Sequence, residues 1–191
     1  MVAHRDRMIA SAAVLIRERG ARPTAMGDVL AHSGAPRGSA YHYFPGGRNE
    51  LLCAAVDYAA EYVAAAICDA DSGVRMLDTA VAFYRDGLLA SDFRAGCPVL
   101  AVAVEAGDPE TSADVVAHTA AAFDRWRQLI TARLTFDGVS RSTASDLANL
   151  VIAALEGALV LARAEQDIAP LDAVHRQLRR LLKAATERKR S

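Results

Sequence analysis

The chain has 191 residues, a formal net charge of −1 and 52% hydrophobic residues, while aromatics make up only 6%. That length buries a sizeable core, in one domain or in a small head and a larger body, and the near-zero charge excludes an indiscriminate polycation. Cys53, Cys68 and Cys97 are odd in number and widely spaced, which excludes a disulfide framework and a zinc finger and fits a reducing cytoplasm.

The apolar content is largely Ala and Leu with few β-branched runs, so the predicted class is all-α, with about nine helices. A first helix runs from near the N-terminus to Gly20. Its Ile9, Ala12, Ala13 and Ile16 repeat at helical spacing, and Arg17, Glu18 and Arg19 continue the pattern with no small-residue cleavage site, so it reads as an amphipathic helix and not as a signal sequence. No apolar run is read as approaching the roughly 20 residues that span a bilayer.

Two short helical patterns follow, over 25–32 and 36–42, around a joint of Ser33, Gly34 and Ala35. This is the layout of a helix-turn-helix. Thr24 is placed to cap the first of the pair, Gly34 to take the positive φ of the joint, and Pro36 to open the second. Arg37, Gly38, Ser39, Tyr41, His42 and Tyr43 crowd that second helix with hydrogen-bonding groups, aromatic rings and one residue small enough for close approach. Such side chains suit phosphate oxygens and base edges in a major groove better than a protein core.

Residues 1–50 carry Arg5, Arg7, Arg17, Arg19, Arg22, Arg37 and Arg48 against Asp6, Glu18, Asp28 and Glu50, and the remainder is net acidic. A basic head on an acidic body is the footprint of a protein whose head alone meets DNA.

The run from Val29 to Leu51 resembles the N-terminal domain of TetR/AcrR-type bacterial repressors, with their Gly-x-x-x-Gly-x-x-Tyr-x-x-Phe spacing followed by a basic residue and a Leu pair. Gly34, Gly38, Tyr41, Phe44, Arg48, Leu51 and Leu52 carry it. Leu30, Ser33, Ala35, Pro36 and Ala40 depart from the family's more frequent residues, and Tyr43 stands where a His is frequent. Pro45-Gly46-Gly47, Gly96-Cys97-Pro98 and Glu105 are similar to the LmrA/YxaF-like branch. The resemblance implies a three-helix DNA-binding domain over 1–47 and an effector-binding and dimerisation domain over 48–191. It also implies Thr24, Arg37, Gly38, Ser39, Tyr41, His42 and Arg48 as DNA contacts.

A fourth helix starts near Arg48 and carries Leu51, Leu52, Ala55, Val56, Ala59, Tyr62 and Val63, with its far end in the body. After Asp71-Ser72-Gly73 a fifth runs over 74–90, with Leu77, Val81, Tyr84 and Leu88 on one side. Pro98 to Val104 is read as a short buried helix because a lone strand has no partner, and Gly107 ends it. Asp108 and Pro109 open a long helix with Val116, Thr119, Phe123, Trp126, Ile130 and Leu134 in its stripe, closed by Gly138. A helix over 142–164 is apolar more than halfway round and wants burial on two sides. The last runs over 170–185, before a charged tail expected to fray.

These last two helices are the expected homodimer surface, in a four-helix bundle with the same pair of a second chain. Helices four to seven are expected to enclose a cavity for a small effector, with Tyr62, Phe83, Tyr84, Cys97, Glu105, Phe123 and Trp126 as lining groups, and the family resemblance implies that this effector is apolar or aromatic. The chain thus reads as a cytoplasmic, ligand-responsive repressor that binds an inverted-repeat operator. No cofactor or metal is called for. No phosphate loop, zinc-protease or nucleophile-elbow motif is present, which argues against an enzyme. The alternatives are a thiol-based redox sensor acting through Cys97, and a helical ligand-binding protein or enzyme without DNA binding.

Overall fold

The structure, a computed structural model, describes residues 2–106 and 112–187. Among these residues the chain is all-helical: α1 (Val2–Arg19), α2 (Met26–Ser33), α3 (Ser39–Tyr43), α4 (Arg48–Asp69), α5 (Gly73–Ala90), α6 (Pro98–Ala103), α7 (Ala113–Phe136), α8 (Arg141–Glu165) and α9 (Ala169–Glu187). The predicted roles of Gly107, Asp108 and Pro109, and of the tail beyond Glu187, fall outside the described residues.

Two compact units emerge, and neither is a continuous stretch: Met1–Glu61 with Cys97–Ala122, and Tyr62–Gly96 with Phe123–Ser191. The division therefore falls inside α4 and α7, whereas the sequence placed a boundary before Arg48. The reason is α6, which packs on α1 in the first unit although it lies fifty residues beyond that boundary.

In the first unit, Met8, Ala12 and Ile16 of α1 and Val29, Ala40, Phe44, Leu51, Leu52, Val99 and Val102 are each at most 1% exposed, and α1 packs on α2 and α6. Burying a side chain of the Leu or Phe class contributes roughly 1.5–3 kcal/mol, so this small core fixes α2 and α3 with no help from helix propensity. Pro98 takes the first position of α6, where its missing N–H costs nothing, after Cys97 at the N-cap. The ambiguous segment is a helix, as expected.

In the second unit, Ser72 and Ser140 cap α5 and α8 by accepting from the N–H groups of Arg75 and Thr143. Leu77, Leu88, Leu134, Leu159, Leu171 and Leu182 are at most 1% exposed. Charged side chains also tie α5 to α9. Asp78 accepts from Arg179 at 3.1 Å and lies 2.7 Å from His175, and Arg85 pairs with Asp172. Burial alone would raise the Asp78 carboxyl, but the hydrogen bonds and positive charge of His175 and Arg179 outweigh it and hold the group below the usual carboxylate range.

One expectation is corrected on length: α4 and α8 are both long and apolar enough to cross a membrane by composition. Each contributes to a packed helical core, and such core helices pass the same test.

Candidate nucleic-acid interface

The joint between α2 and α3 is built as its residues require. Gly34 caps α2 at φ 65°, a left-handed conformation that costs glycine little. The second helix is shorter than predicted. Pro36 does not open it; its carbonyl instead accepts from the Ser39 N–H at 2.9 Å in a turn, and α3 begins at Ser39 with Gly38 as N-cap.

Ala40 and Phe44 face inward at 0% exposure, so α3 is anchored from behind at two points four residues apart. The guanidinium of Arg5 lies over the Phe44 ring, 5.5 Å from its centroid. The opposite face is open. Arg37, Gly38, Tyr41 and His42 are exposed, Ser39 and Tyr43 are half-buried, and Tyr41 is 76% exposed. The rings of His42 and Tyr43 meet edge to face at 5.1 Å. The turn before α3 and α3 itself thus present one cation, a Cβ-free position, three hydroxyls and an imidazole, all exposed or half-buried, a set that hydrogen-bonds phosphates and base edges.

Thr24 and Arg48 are differently employed. Thr24 is 1% exposed and does not cap α2; its hydroxyl donates to the Gly20 carbonyl at 2.7 Å. Ala25 is the N-cap, and its N–H donates to the Asp28 carboxylate at 3.2 Å. Asp28 also bridges to Arg19 at 2.9 Å, which neutralises part of the head's positive charge. Arg48 donates to the carbonyls of Ala21, Arg22 and Thr24 at 2.5, 3.2 and 2.9 Å. Both residues brace the loop between α1 and α2.

The seven expected effector-lining residues separate into two groups. Cys97 and Glu105 belong to the first unit. Cys97 is 4% exposed, and Glu105 accepts from the N–H groups of Ala21 and Arg22, both at 2.9 Å. Tyr62, Phe83, Tyr84, Phe123 and Trp126 belong to the second unit, as pairs of touching rings: Tyr62 with Phe83 at 5.0 Å, Phe83 with Tyr84 at 5.4 Å and Phe123 with Trp126 at 5.4 Å.

Of these, Tyr84 and Trp126 line a partly open apolar space of ≈ 50 Å³, together with Val63, Ile67, Met76, Leu77, Ala80, Ile130, Val151, Ile152, Leu155 and Glu156. Tyr62 and Phe83 are 54% and 38% exposed and lie on the surface. The sequence reading missed Glu156, a carboxylate only 8% exposed within an apolar wall. Its signal was present: a charged residue inside the continuous Ala153–Leu161 apolar stretch.

Burial first, and then the negative charges of Asp57, Asp114 and Glu50, push the Cys53 thiol up. Cys68 is the exposed one. No cluster of metal-ligating side chains occurs among the described residues.

Comparison with known proteins agrees with this arrangement. Residues 8–55 match the model of bacterial regulatory proteins of the tetR family, and residues 74–177 match that of the LmrA/YxaF-like transcriptional regulator C-terminal domain. The chain is 59% identical over 183 residues to the uncharacterized HTH-type transcriptional regulator Rv0196 of Mycobacterium tuberculosis, covering 94% of both chains. It is 27% identical over 173 residues to the HTH-type transcriptional regulator LmrA of Bacillus subtilis, covering 87% of this chain and 90% of that one. In fold it is similar to the regulatory protein TetR from Rhodobacter sphaeroides, with a TM-score of 0.81 over 94% of this chain and 98% of that one at 22% identity. The helix-turn-helix with its outward polar face and these matches at both ends of the chain lead to one assignment: this protein belongs to the TetR family of bacterial transcriptional regulators, with a C-terminal domain of the LmrA/YxaF type.

Proposed function

We propose that this regulator is a cytoplasmic repressor that binds an inverted-repeat operator as a homodimer and is released by a small apolar or aromatic effector. The observation that carries the DNA contacts is the turn into α3 and α3 itself, where Arg37, Gly38, Tyr41 and His42 are exposed and Ser39 half-buried while Ala40 and Phe44 hold the helix from behind. Thr24 and Arg48 serve the same reading indirectly, by bracing the loop that leads into α2.

Support for the dimer comes from α8. Its inner side is packed, yet Leu150, Ala153, Gly157, Val160 and Leu161 form a second, exposed apolar stripe at helical spacing. A Cβ added at Gly157 would meet nothing within 4 Å, so the stripe is open for a second helix to approach closely. Leu181 of α9 is exposed as well, at 46%. Paired heads suit the two half-sites of an operator about one helical turn apart.

Effector binding is assigned to the apolar space bounded by Tyr84, Trp126 and Glu156, with the surface rings of Tyr62 and Phe83 and the Phe123 ring beside Trp126 as its outer groups. An effector would act by tilting α4, which with α7 is one of the two helices that contribute to both units. The buried state of Cys97 gives the redox alternative no comparable support.

The deciding experiment selects bound fragments from random DNA with the purified chain and then screens compounds that release them. An inverted repeat among the winners, bound with steep salt dependence, is the expected result. Absence of salt-sensitive binding to any duplex would overturn the reading.

A further inference from the structure

Gly20 ends α1 at φ 93°, and the next two N–H groups, those of Ala21 and Arg22, converge on one carboxylate. Successive backbone N–H groups beside a left-handed residue make an anion-binding nest. Here the anion is Glu105, which follows α6 and lies 84 residues further along the chain than Ala21. Its Oε1 accepts from Ala21 and its Oε2 from Arg22, each at 2.9 Å. A Cβ at residue 20 would stand 2.5 Å from Oε1, so the carboxylate is seated only because the position is glycine.

The carbonyl side of the same loop is taken by Arg48 at the start of α4, through the three bonds described above. Opposite charges therefore hold opposite ends of the peptide dipoles in one six-residue joint. Val99 and Val102 of α6 are 0% exposed and α6 packs on α1, so the helix that delivers Glu105 is itself fixed in the first unit's core.

We propose that Glu105 is a positioning residue for DNA reading: a latch by which the α6 segment holds the α1–α2 loop, and so the angle of α2 and α3 on α1, in the duplex-binding arrangement. The proposal rests on the DNA-reading role given to α3. Withdrawal of the carboxylate leaves two N–H groups without their charged acceptor, and the loop opens on the side that Arg48 does not hold.

The test uses the full chain and a duplex selected from random DNA by the wild type. Glu105→Gln presents one acceptor oxygen and turns an NH₂ toward the second N–H, and hydrogen bonds to charged groups are the stronger kind, so the expected loss of duplex affinity is about tenfold. Amide hydrogen exchange supplies a local readout that general destabilisation would not give. The Ala21 and Arg22 amides exchange slowly in the wild type and quickly in the variant, with α8 unchanged. Combined with Arg48→Lys, the effects are less than additive because both residues hold one loop.

Equal duplex affinity for wild type and Glu105→Gln overturns the latch while leaving the DNA-reading role intact. A wild type that captures no duplex overturns the DNA-reading role and the latch with it. Should Glu105→Gln fail to fold, exchange in the wild type decides: slow Ala21 and Arg22 amides that duplex slows further support the latch, and amides as fast as unstructured backbone overturn it.

Discussion

Replacing Tyr41 by alanine separates binding from folding. The side chain is 76% exposed, and surface substitutions of this kind change stability by no more than about 0.5 kcal/mol. If its ring and hydroxyl meet the duplex, each head loses about 1–3 kcal/mol, the usual discrimination of a good groove contact. Two heads per operator double that loss, so even the low end is about 2 kcal/mol, or roughly thirtyfold in affinity. Phe44→Ala is the control. Phe44 is 0% exposed, and emptying an aromatic core site costs about 3–5 kcal/mol of stability. Titration of a selected duplex by fluorescence anisotropy, beside thermal unfolding, reads both quantities. Tyr41→Ala with wild-type affinity would refute the assignment of α3 as the reading helix, and an equal loss of melting temperature in the two variants would refute the division between its faces.

Arg37→Ala is expected to weaken binding across all sequences and to flatten the plot of log affinity against log salt by about 0.9 per head, measured over a salt series. Because Asp78 is held below its ordinary carboxylate range, its ties to His175 and Arg179 contribute stability that is fully present above pH 4 or so and is lost as pH falls through the lowered folded-state value. Urea unfolding from pH 7 down to pH 3 is expected to show less acid sensitivity in Asp78→Asn than in the wild type. Leu161→Glu, at a position 51% exposed in the single chain, is expected to leave each chain folded and to give a monomer in sedimentation, with duplex affinity falling with it. Iodoacetamide is expected to label Cys68 first, ahead of Cys53 and Cys97, followed by peptide mass; fast labelling of Cys97 would revive the redox alternative.

Much of the helical layout was legible because its signals are local. Gly20 and Gly34 stop their helices with positive φ, Ser72 and Ser140 cap theirs, and in the stripe Val116, Thr119, Phe123, Trp126, Ile130 and Leu134 all but the half-buried Val116 and Phe123 are buried. The outward set on α3 was legible for the same reason, since four residues from Ala40 to Phe44 separate what faces in from what faces out. The fate of Thr24, Arg48 and Glu105 was not. Their partners are backbone groups of one loop, and nothing in the spacing of side chains announces which carbonyl or amide at long range lacks a helical mate. A motif match names a polar residue at a position without saying whether it faces outward or inward. The start of α3 was misplaced because Pro36 tolerates a turn as readily as a first helical position, and the turn was fixed by tertiary packing of Ala40 and Phe44.

The apolar space beside Tyr84 and Trp126 has a consequence for any effector that enters it. At ≈ 50 Å³ it has room for a few waters, whereas pockets for drug-sized molecules are about 300–1,000 Å³. A drug-sized occupant would therefore need the helices to move apart, and its apparent affinity would be its intrinsic affinity reduced by the population of that wider form. The shape of the resting space would then be no cast of the molecule it admits, and if the proposed effector enters here, a substitution that fills it, such as Ala80→Leu, would abolish release from DNA while leaving DNA affinity unchanged.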